Sequence, residues 1–439
     1  MAMDIANKTW TCISNNPVKS IILVGVLVRL LVAVLYQHIT LYPDSDGYIF
    51  LADKLLTLDL SGYEGQRSPG YPLLLIIGNS VFGAVFIQAV IGICTTIVFY
   101  RTLLLLNIKD KPALIISLIL TCYLPVIFFE MAILTESVTL FVITSIFYVY
   151  FNIIFKEERR LSFFWLVLLS LYLVLIKPFY IFLPILLFFF LSFRKMVDKG
   201  HIGKYLLLLL LPLITYLGWS YVNKLNTGYF VPTTYYGFNL AQNCVSFAEN
   251  TSVEYREIGE VYAKYRDNRI SDKEEAMVIW EACPEMEAKT GLSFSDLSNL
   301  LYDYSVTTIK MNPLAYLKQV SVSWMDFWKT SFYWEPYSFG VPQANEFIGY
   351  IAFAERILLQ LVKALFVLLI PYNIICDLRK WRFSPQLIIS VVVLSASILQ
   401  ALMTYGTNSR FSFPFELLII VSVVLNMRQY INKEKPHVE

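Results

Sequence analysis

The stretch YPDSDGYIFLADKLL, residues 42–56, sets three carboxylates, Asp44, Asp46 and Asp53, directly after an apolar run. A carboxylate partly desolvated at the edge of a bilayer holds its proton more tightly than one in water. It therefore suits a general base that takes a proton from an attacking hydroxyl. Asp44 and Asp46 also suit a shared divalent cation, Mg or Mn, that bridges to phosphate oxygens. The same two acids can instead cap the amphipathic helix predicted by Ile49, Leu51, Ala52, Leu55, Leu56 and Leu58. Three cations stand where other apolar runs stop: Arg67 in EGQRSPGYP, Lys177 in LVLIKPFYIF and Arg410 in NSRFSFPFELL. Each either snorkels to lipid headgroups or binds a phosphate, Arg through forked contacts and Lys as a point charge. Arg29 lies midway along an apolar run, where a charge demands a polar partner. Glu130, another helix or a bound lipid would serve.

Membrane helices must position these side chains. The 439 residues are 57% hydrophobic and 15% charged. Runs such as LLLLLLPLITYLGW are too long and uniform for a soluble core, and a span takes about 20 mainly apolar residues. The expected fold is all-α and polytopic. About ten transmembrane helices are predicted, at 18–38, 84–106, 113–130, 137–155, 161–177, 179–193, 204–222, 354–375, 386–404 and 412–428. The short connections NIKDKP, KEERR, RKMVDKGHIGK and DLRKWR and the tail RQYINKEK carry Lys and Arg, which predicts that side, and both termini, to be cytoplasmic.

The opposite side holds residues 39–83, the turn at 131–136, YGTNSR and a long insert, 223–353. The insert has ten Lys/Arg against sixteen Asp/Glu, a balance of −6. The chain thus divides into an N-terminal transmembrane module, 1–222, a mainly helical extracytoplasmic insert, 223–353, and C-terminal helices with a tail, 354–439. Within the insert, TGLSFSDLSNLL marks a helix start capped by Ser293 or Ser295, and NPLAYL marks another with Pro313 in its first turn. SWMDFWKTSFYWEPYSF reads as an interfacial anchor. The first residues lack the charged start and cleavage site of a removable signal peptide, so the first helix is expected to be retained. Of six cysteines, Cys12, Cys94, Cys122 and Cys376 fall in or beside spans, while Cys244 and Cys283 share the insert, where a disulfide is one option. No Cys/His pair has the spacing of a zinc site.

The order PDS..Y...A..L, a glycine-rich gap, then R.PGYP is carried by Pro43, Asp44, Ser45, Tyr48, Ala52, Leu55, Arg67, Pro69, Gly70, Tyr71 and Pro72. It resembles the first outer loop of the GT-C superfamily of glycosyltransferases, in the branch related to protein O-mannosyltransferases and lipid A aminoarabinose transferases. Echoes in the family's order are ILTES with Glu136, YYGFNLAQN around Gly237 and Asn239, and NSRFSFPFELL with Arg410. The resemblance implies a GT-C-like bundle with interfacial helices at the outer leaflet. It also implies an inverting transfer of a sugar from a polyprenyl-phosphate donor to a glycan, lipid or protein acceptor outside the cytoplasm. On that reading Asp44, at the motif position, is the base, and Asp46 is its hydrogen-bond partner or a second metal ligand. Lys177, Arg410 and Arg67 bind the donor phosphate, and Tyr48, Tyr71, Glu136 and Asn239 contact substrate. One departure is that many relatives pair Asp with Glu, whereas Ser45 separates Asp44 from Asp46 here.

No nucleotide reaches that side of a membrane, in keeping with the lack of a phosphate-cradling glycine loop, and nothing suggests a nucleic-acid partner. A bacterial inner membrane is the expected location. Two rival readings remain. An O-antigen-type polymerase or ligase would share the large outer loop without the first-loop motif. A transporter or flippase would show paired broken helices near the midplane and internal symmetry.

Overall fold

The computed structural model describes residues 14–156, 160–197, 203–269, 272–330, 332–335, 337–406 and 408–428. Cys12, parts of the basic connections (157–159 and 198–202) and the tail beyond Arg428 lie outside those residues.

The described chain is helical, with a single isolated bridge between Thr40 and Ala132. In order, the first module contains α1 (Pro17–Tyr36), α2 (Pro43–Thr57), α3 (Gly70–Gly78), α4 (Val81–Leu105), α5 (Asp110–Thr121), α6 (Leu124–Glu130), α7 (Glu136–Phe155), α8 (Arg160–Ile176), α9 (Phe182–Val197) and α10 (Leu206–Thr227). The insert folds as α11 (Tyr236–Gln242), α12 (Arg256–Asp267), α13 (Val278–Thr290) and α14 (Phe294–Met311). The chain then runs through α15 (Pro313–Phe327), α16 (Pro342–Arg379), α17 (Pro385–Met403), α18 (Asn408–Ser412) and α19 (Glu416–Asn426).

Seven of these helical segments are long and apolar enough to cross a membrane, which makes this a multi-pass helical membrane protein by length and composition. The difference from ten lies in three places. Predicted span 113–130 is broken into α5 and α6, which meet at 49°. The segments at 161–177 and 179–193 form the shorter apolar helices Arg160–Ile176 and Pro178–Phe193. At the break, the Leu124 N–H has no helical carbonyl to reach and donates instead to the Glu355 carboxylate of α16 at 3.0 Å.

The insert is a small helical unit around a three-ring stack in which Phe238 lies 4.7 Å from both Trp280 and Phe294. Ser293 caps α14 by accepting from the Asp296 N–H, and Pro313 opens α15, as the sequence predicts. Cys244 and Cys283 are buried free thiols, so the disulfide option is not taken. The unit is seated on the end of α17, where the Asn243 amide donates to the Ala401 and Leu402 carbonyls. The predicted interfacial anchor is largely tucked inward. Phe332, Trp334 and Phe339 pack on Tyr36 and Phe128, and Trp328 is buried.

Arg29 is paired with Glu130 through two bonds, Nε to Oε2 at 2.7 Å and Nη2 to Oε1 at 2.6 Å. The pair fits only because Gly92 faces it: a Cβ there would lie 1.7 Å from Glu130 Oε1. Removing one partner strands the other charge. Arg29→Met is expected to cost about 3–5 kcal/mol of stability, and the double change with Glu130→Met to recover most of it. Thermal unfolding of the three proteins in one detergent checks this.

Candidate functional site

The site is built by closing one short segment onto another. After α1 the chain runs extended, and Thr40 pairs with the 131–133 turn through Thr40 N to Met131 O at 3.0 Å and Ile133 N to Thr40 O at 3.2 Å. α2 begins at Pro43, in the position where a missing N–H costs nothing. Its start is capped by Ser45, not by the aspartates: Ser45 Oγ accepts from the Tyr42 N–H and donates to the Ile133 carbonyl, both at 2.9 Å. Asp44 and Asp46 therefore lie inside the first turn, where two residues subtend about 200°, and they leave the helix on opposite sides.

Asp44 points into a cluster of five charges. Its Oδ1 accepts from Arg67 Nη2 at 2.8 Å and its Oδ2 from Arg410 Nη1 at 2.6 Å. Arg410 continues to Glu136, with Nε to Oε1 at 2.6 Å and Nη2 to Oε2 at 3.2 Å, and Lys177 Nζ donates to the same Oε1 at 2.8 Å. Glu136 is 0% exposed, whereas Asp44 keeps 34% of its side chain exposed, the largest share in the cluster. Three cations against two carboxylates leave one net positive charge.

Each cation is held by its surroundings. The Arg67 guanidinium is clamped between the Tyr48 and Tyr235 rings, 4.6 and 4.7 Å from their centroids. Its backbone carbonyl takes the Tyr63 hydroxyl. The loop is tied to the 233–234 segment by Thr234 N to Gly65 O and Thr233 Oγ1 to Gln66 O. Gly47 leaves room for this arginine, since a Cβ there would sit 2.9 Å from its Nε. Lys177 follows α8 in an extended conformation set by Pro178. Arg410 rides on α18, anchored from below by Lys363, which donates to Ser412 Oγ at 2.8 Å and pairs with Glu416 at 2.9 Å.

Burial by itself would raise the Asp44 carboxyl, the direction expected of a base at a lipid edge. Arg410 and Arg67 outweigh it and hold the group well below the usual carboxylate range. In the resting site the expected gain in proton affinity is thus reversed. Burial pushes the Tyr48 phenol up to about 12, so it stays a hydrogen-bond donor.

The other expectations divide. Tyr48, Arg67, Lys177 and Asn239 line one cavity of about 310 Å³, which is walled largely by apolar groups including Tyr216, Phe179, Ile181 and Met403. Tyr71 does not reach it. It is fully buried, braces Tyr48 edge-on at 5.0 Å and donates to Gln88 Oε1 at 3.0 Å. Asp46 is exposed and, two residues on in the same helical turn, leaves α2 about 200° round from Asp44, so it does not stand as its hydrogen-bond partner here. The paired metal reading does not fit either. Two residues apart in one helical turn, Asp44 and Asp46 diverge by about 200° and cannot close on one cation, and no group of three His, Cys, Asp or Glu suited to a metal occurs among the described residues.

Three supporting residues escaped the sequence reading. Gln88 is a buried hub that donates to the Glu130 and Ala132 carbonyls, both at 2.9 Å, and so joins Tyr71 to the turn before Glu136. Lys363 and Glu416 interrupt apolar runs, the signal that drew attention to Arg29. No protein-family model matches the chain, and no curated protein matches it.

Proposed function

We propose that the chain is a membrane glycosyltransferase of the GT-C kind. It moves a sugar from a polyprenyl-phosphate donor to an acceptor on the extracytoplasmic face, in a bundle of about ten transmembrane segments. The observation that carries the reading is the convergence of Asp44 with Arg67, Arg410 and Lys177, contributed from positions 44, 67, 177 and 410 of the chain, beside an apolar-walled cavity.

The charge balance suits the chemistry. A glycosyl phosphodiester carries one negative charge, which the cluster's single net positive charge matches. Its phosphate oxygens compete with Asp44 for Arg67 and Arg410, and as those guanidiniums turn to the phosphate, Asp44 regains basicity. Asp44 then takes the proton of the acceptor hydroxyl. The hydroxyl oxygen forms the new bond to the anomeric carbon from the face opposite the phosphate, and the carbon–oxygen bond to the phosphate breaks with its electron pair. The prenyl phosphate leaves as a dianion while Asp44 is neutral, so the cluster's charge rises to two as the leaving group's charge does. Glu136 keeps Lys177 and Arg410 pointed inward throughout, a positioning role in place of the expected contact with sugar.

A transporter of the broken-helix type would pair two breaks. Among the described residues one helix pair is bent, and its freed N–H is satisfied by Glu355. The test is to reconstitute the purified chain with glycosyl prenyl phosphates and a cell-envelope extract as acceptor, then follow products by mass spectrometry. Release of prenyl phosphate with a new glycosidic bond supports the reading. Movement of intact donor across the bilayer without release contradicts it.

A further inference from the structure

A second cavity lies at the other end of the bundle from Asp44. It has about 570 Å³ and forms where α16 and α19 finish and α17 begins, with Tyr372, Asp377, Lys380, Ser384, Gln386 and Arg428 in its wall. Gln386 lines it, and Met403, near the far end of α17, lines the first cavity. Over that length the helix rises about 26 Å, close to the thickness of a hydrocarbon core. Tyr372 and Trp381, which directly follows Lys380, are both exposed, as rings at a lipid–water boundary are. The polar groups of the wall fall into two sets. The Asp377 carboxylate takes the Ser384 hydroxyl, Ser384 caps α17 by accepting from the Leu387 N–H at 3.2 Å, and the Asn373 amide donates to Ser390 Oγ at 3.1 Å. Lys380 and Arg428 stand apart: both are exposed, and neither side chain has a hydrogen bond or ion pair among the described residues. Two cations against one carboxylate leave the cavity with one net positive charge.

We propose that this cavity is a binding site for an anionic phospholipid, whose phosphodiester lies between Lys380 and Arg428. Arg428 offers a forked contact to the phosphate oxygens and Lys380 a point charge, and the phosphodiester's single negative charge matches the cavity's balance. A basic hollow between membrane helices at one boundary is the arrangement that holds lipid headgroups. The chains have a place as well. Leu368 and Ile375 share a face of α16 with Tyr372 and are exposed, so an apolar strip continues from the polar wall. That strip favours a lipid over a free anion. Cations that follow helix ends also offset the helix dipole, and Lys380 and Arg428 do so for α16 and α19. Such a role needs neither a cavity nor a wall shared by the two side chains. A lipid seated here ties α16 to α17 and α19, the two helices that α18 joins. The inference does not depend on the glycosyltransferase reading, since it concerns other residues at the other end of the bundle.

The test uses the purified full-length protein in a neutral detergent. Its thermal midpoint is followed as dihexanoyl phosphatidylglycerol, dihexanoyl phosphatidylcholine or inorganic phosphate is added. A ligand that binds only the folded state raises the midpoint as its site fills. Phosphatidylglycerol is expected to raise it saturably, and the other two are not expected to do so over the same range. In Lys380→Gln/Arg428→Gln the half-saturating concentration is expected to rise at least about tenfold, the effect of losing one charge-assisted hydrogen bond. Arg379→Gln/Arg382→Gln removes two exposed cations of the same segment that lie outside the cavity wall, and is expected to leave that concentration nearly unchanged. An equal loss in both double variants means that this end of the protein attracts anions diffusely, and overturns the site. So does an unchanged response in Lys380→Gln/Arg428→Gln, or a wild-type protein that does not respond. A response to phosphatidylcholine or inorganic phosphate equal to that of phosphatidylglycerol overturns the anionic-lipid assignment. The three ligands can be compared on wild-type protein alone, so the question stays decidable if a variant fails to fold.

Discussion

Asp44→Asn is expected to lower sugar transfer by roughly 10²–10⁴-fold, the range that a positioned general base contributes. The substitution keeps the side chain's size and leaves an oxygen that can still accept from one guanidinium, so the fold has little reason to change. On the proposed mechanism it removes the atom that takes the acceptor's proton. The resting carboxyl, held well below the usual range by Arg410 and Arg67, is a poor base. Its low proton affinity keeps it ionised at every physiological pH and ready to act once those guanidiniums turn away. The same group contributes stability above the ordinary carboxylate range, and that contribution is lost only in stronger acid, as pH falls through its depressed value. Rates of the variant and wild type, measured at saturating donor by mass spectrometry of released prenyl phosphate, give the comparison.

Arg410→Gln is expected to damage binding and structure together. Arg410 is the only residue of the cluster that touches both carboxylates, donating to Asp44 at 2.6 Å and to Glu136 at 2.6 and 3.2 Å. Without it the cluster's net charge falls to zero, and fully buried Glu136 keeps Lys177 as its single cationic partner. Loss of a charge-assisted hydrogen bond worth about 1.5–3 kcal/mol predicts donor affinity weaker by roughly 10- to 150-fold. A lower thermal midpoint should accompany it. Arg410→Lys is not expected to restore binding, because a point charge cannot serve two carboxylates and a phosphate from one planar fork. Arg410→Gln leaves Glu136 with Lys177 as its ion-pair partner, whereas Glu136→Gln alone strands both Lys177 and one side of Arg410, so Glu136→Gln is expected to lower the midpoint more than it lowers donor affinity, which separates the two roles.

Much of this site is visible as polarity out of place. Asp44, Arg67, Lys177 and Arg410 each end or interrupt an apolar run, and a charge at a lipid boundary has few inexpensive explanations. Arg29 announced its need for a partner by its depth, and Glu130 answers it. Lys363 and Glu416 obeyed the same rule unnoticed. The sequence is silent on which side of a helix a residue leaves. Asp46 is two residues from Asp44, close enough in sequence to share a ligand, but Pro43 opens α2 and puts both acids in its first turn. Two residues of helix then separate the acids by about 200°, more than half a circle. Tyr71, matched to a substrate motif, faces Gln88 and serves Tyr48 from behind. Gln88 is illegible for another reason: an amide in an apolar run is common, and only three-dimensional packing shows whether its atoms are satisfied. The helix count is blurred at 110–130 and 160–193, where Pro125, Pro178 and short apolar stretches leave length alone to decide.

The central claim is that a lipid phosphate and Asp44 compete for the same two guanidiniums, and donor affinity in Asp44→Asn tests it most directly. With the carboxylate's charge gone and Arg67 and Arg410 released, the account predicts that farnesyl phosphate binds the variant about tenfold more tightly than it binds the wild type, even as transfer collapses. Equal or weaker binding by a correctly folded variant would contradict the claim, since it would mean that Asp44 does not compete with the phosphate for those cations.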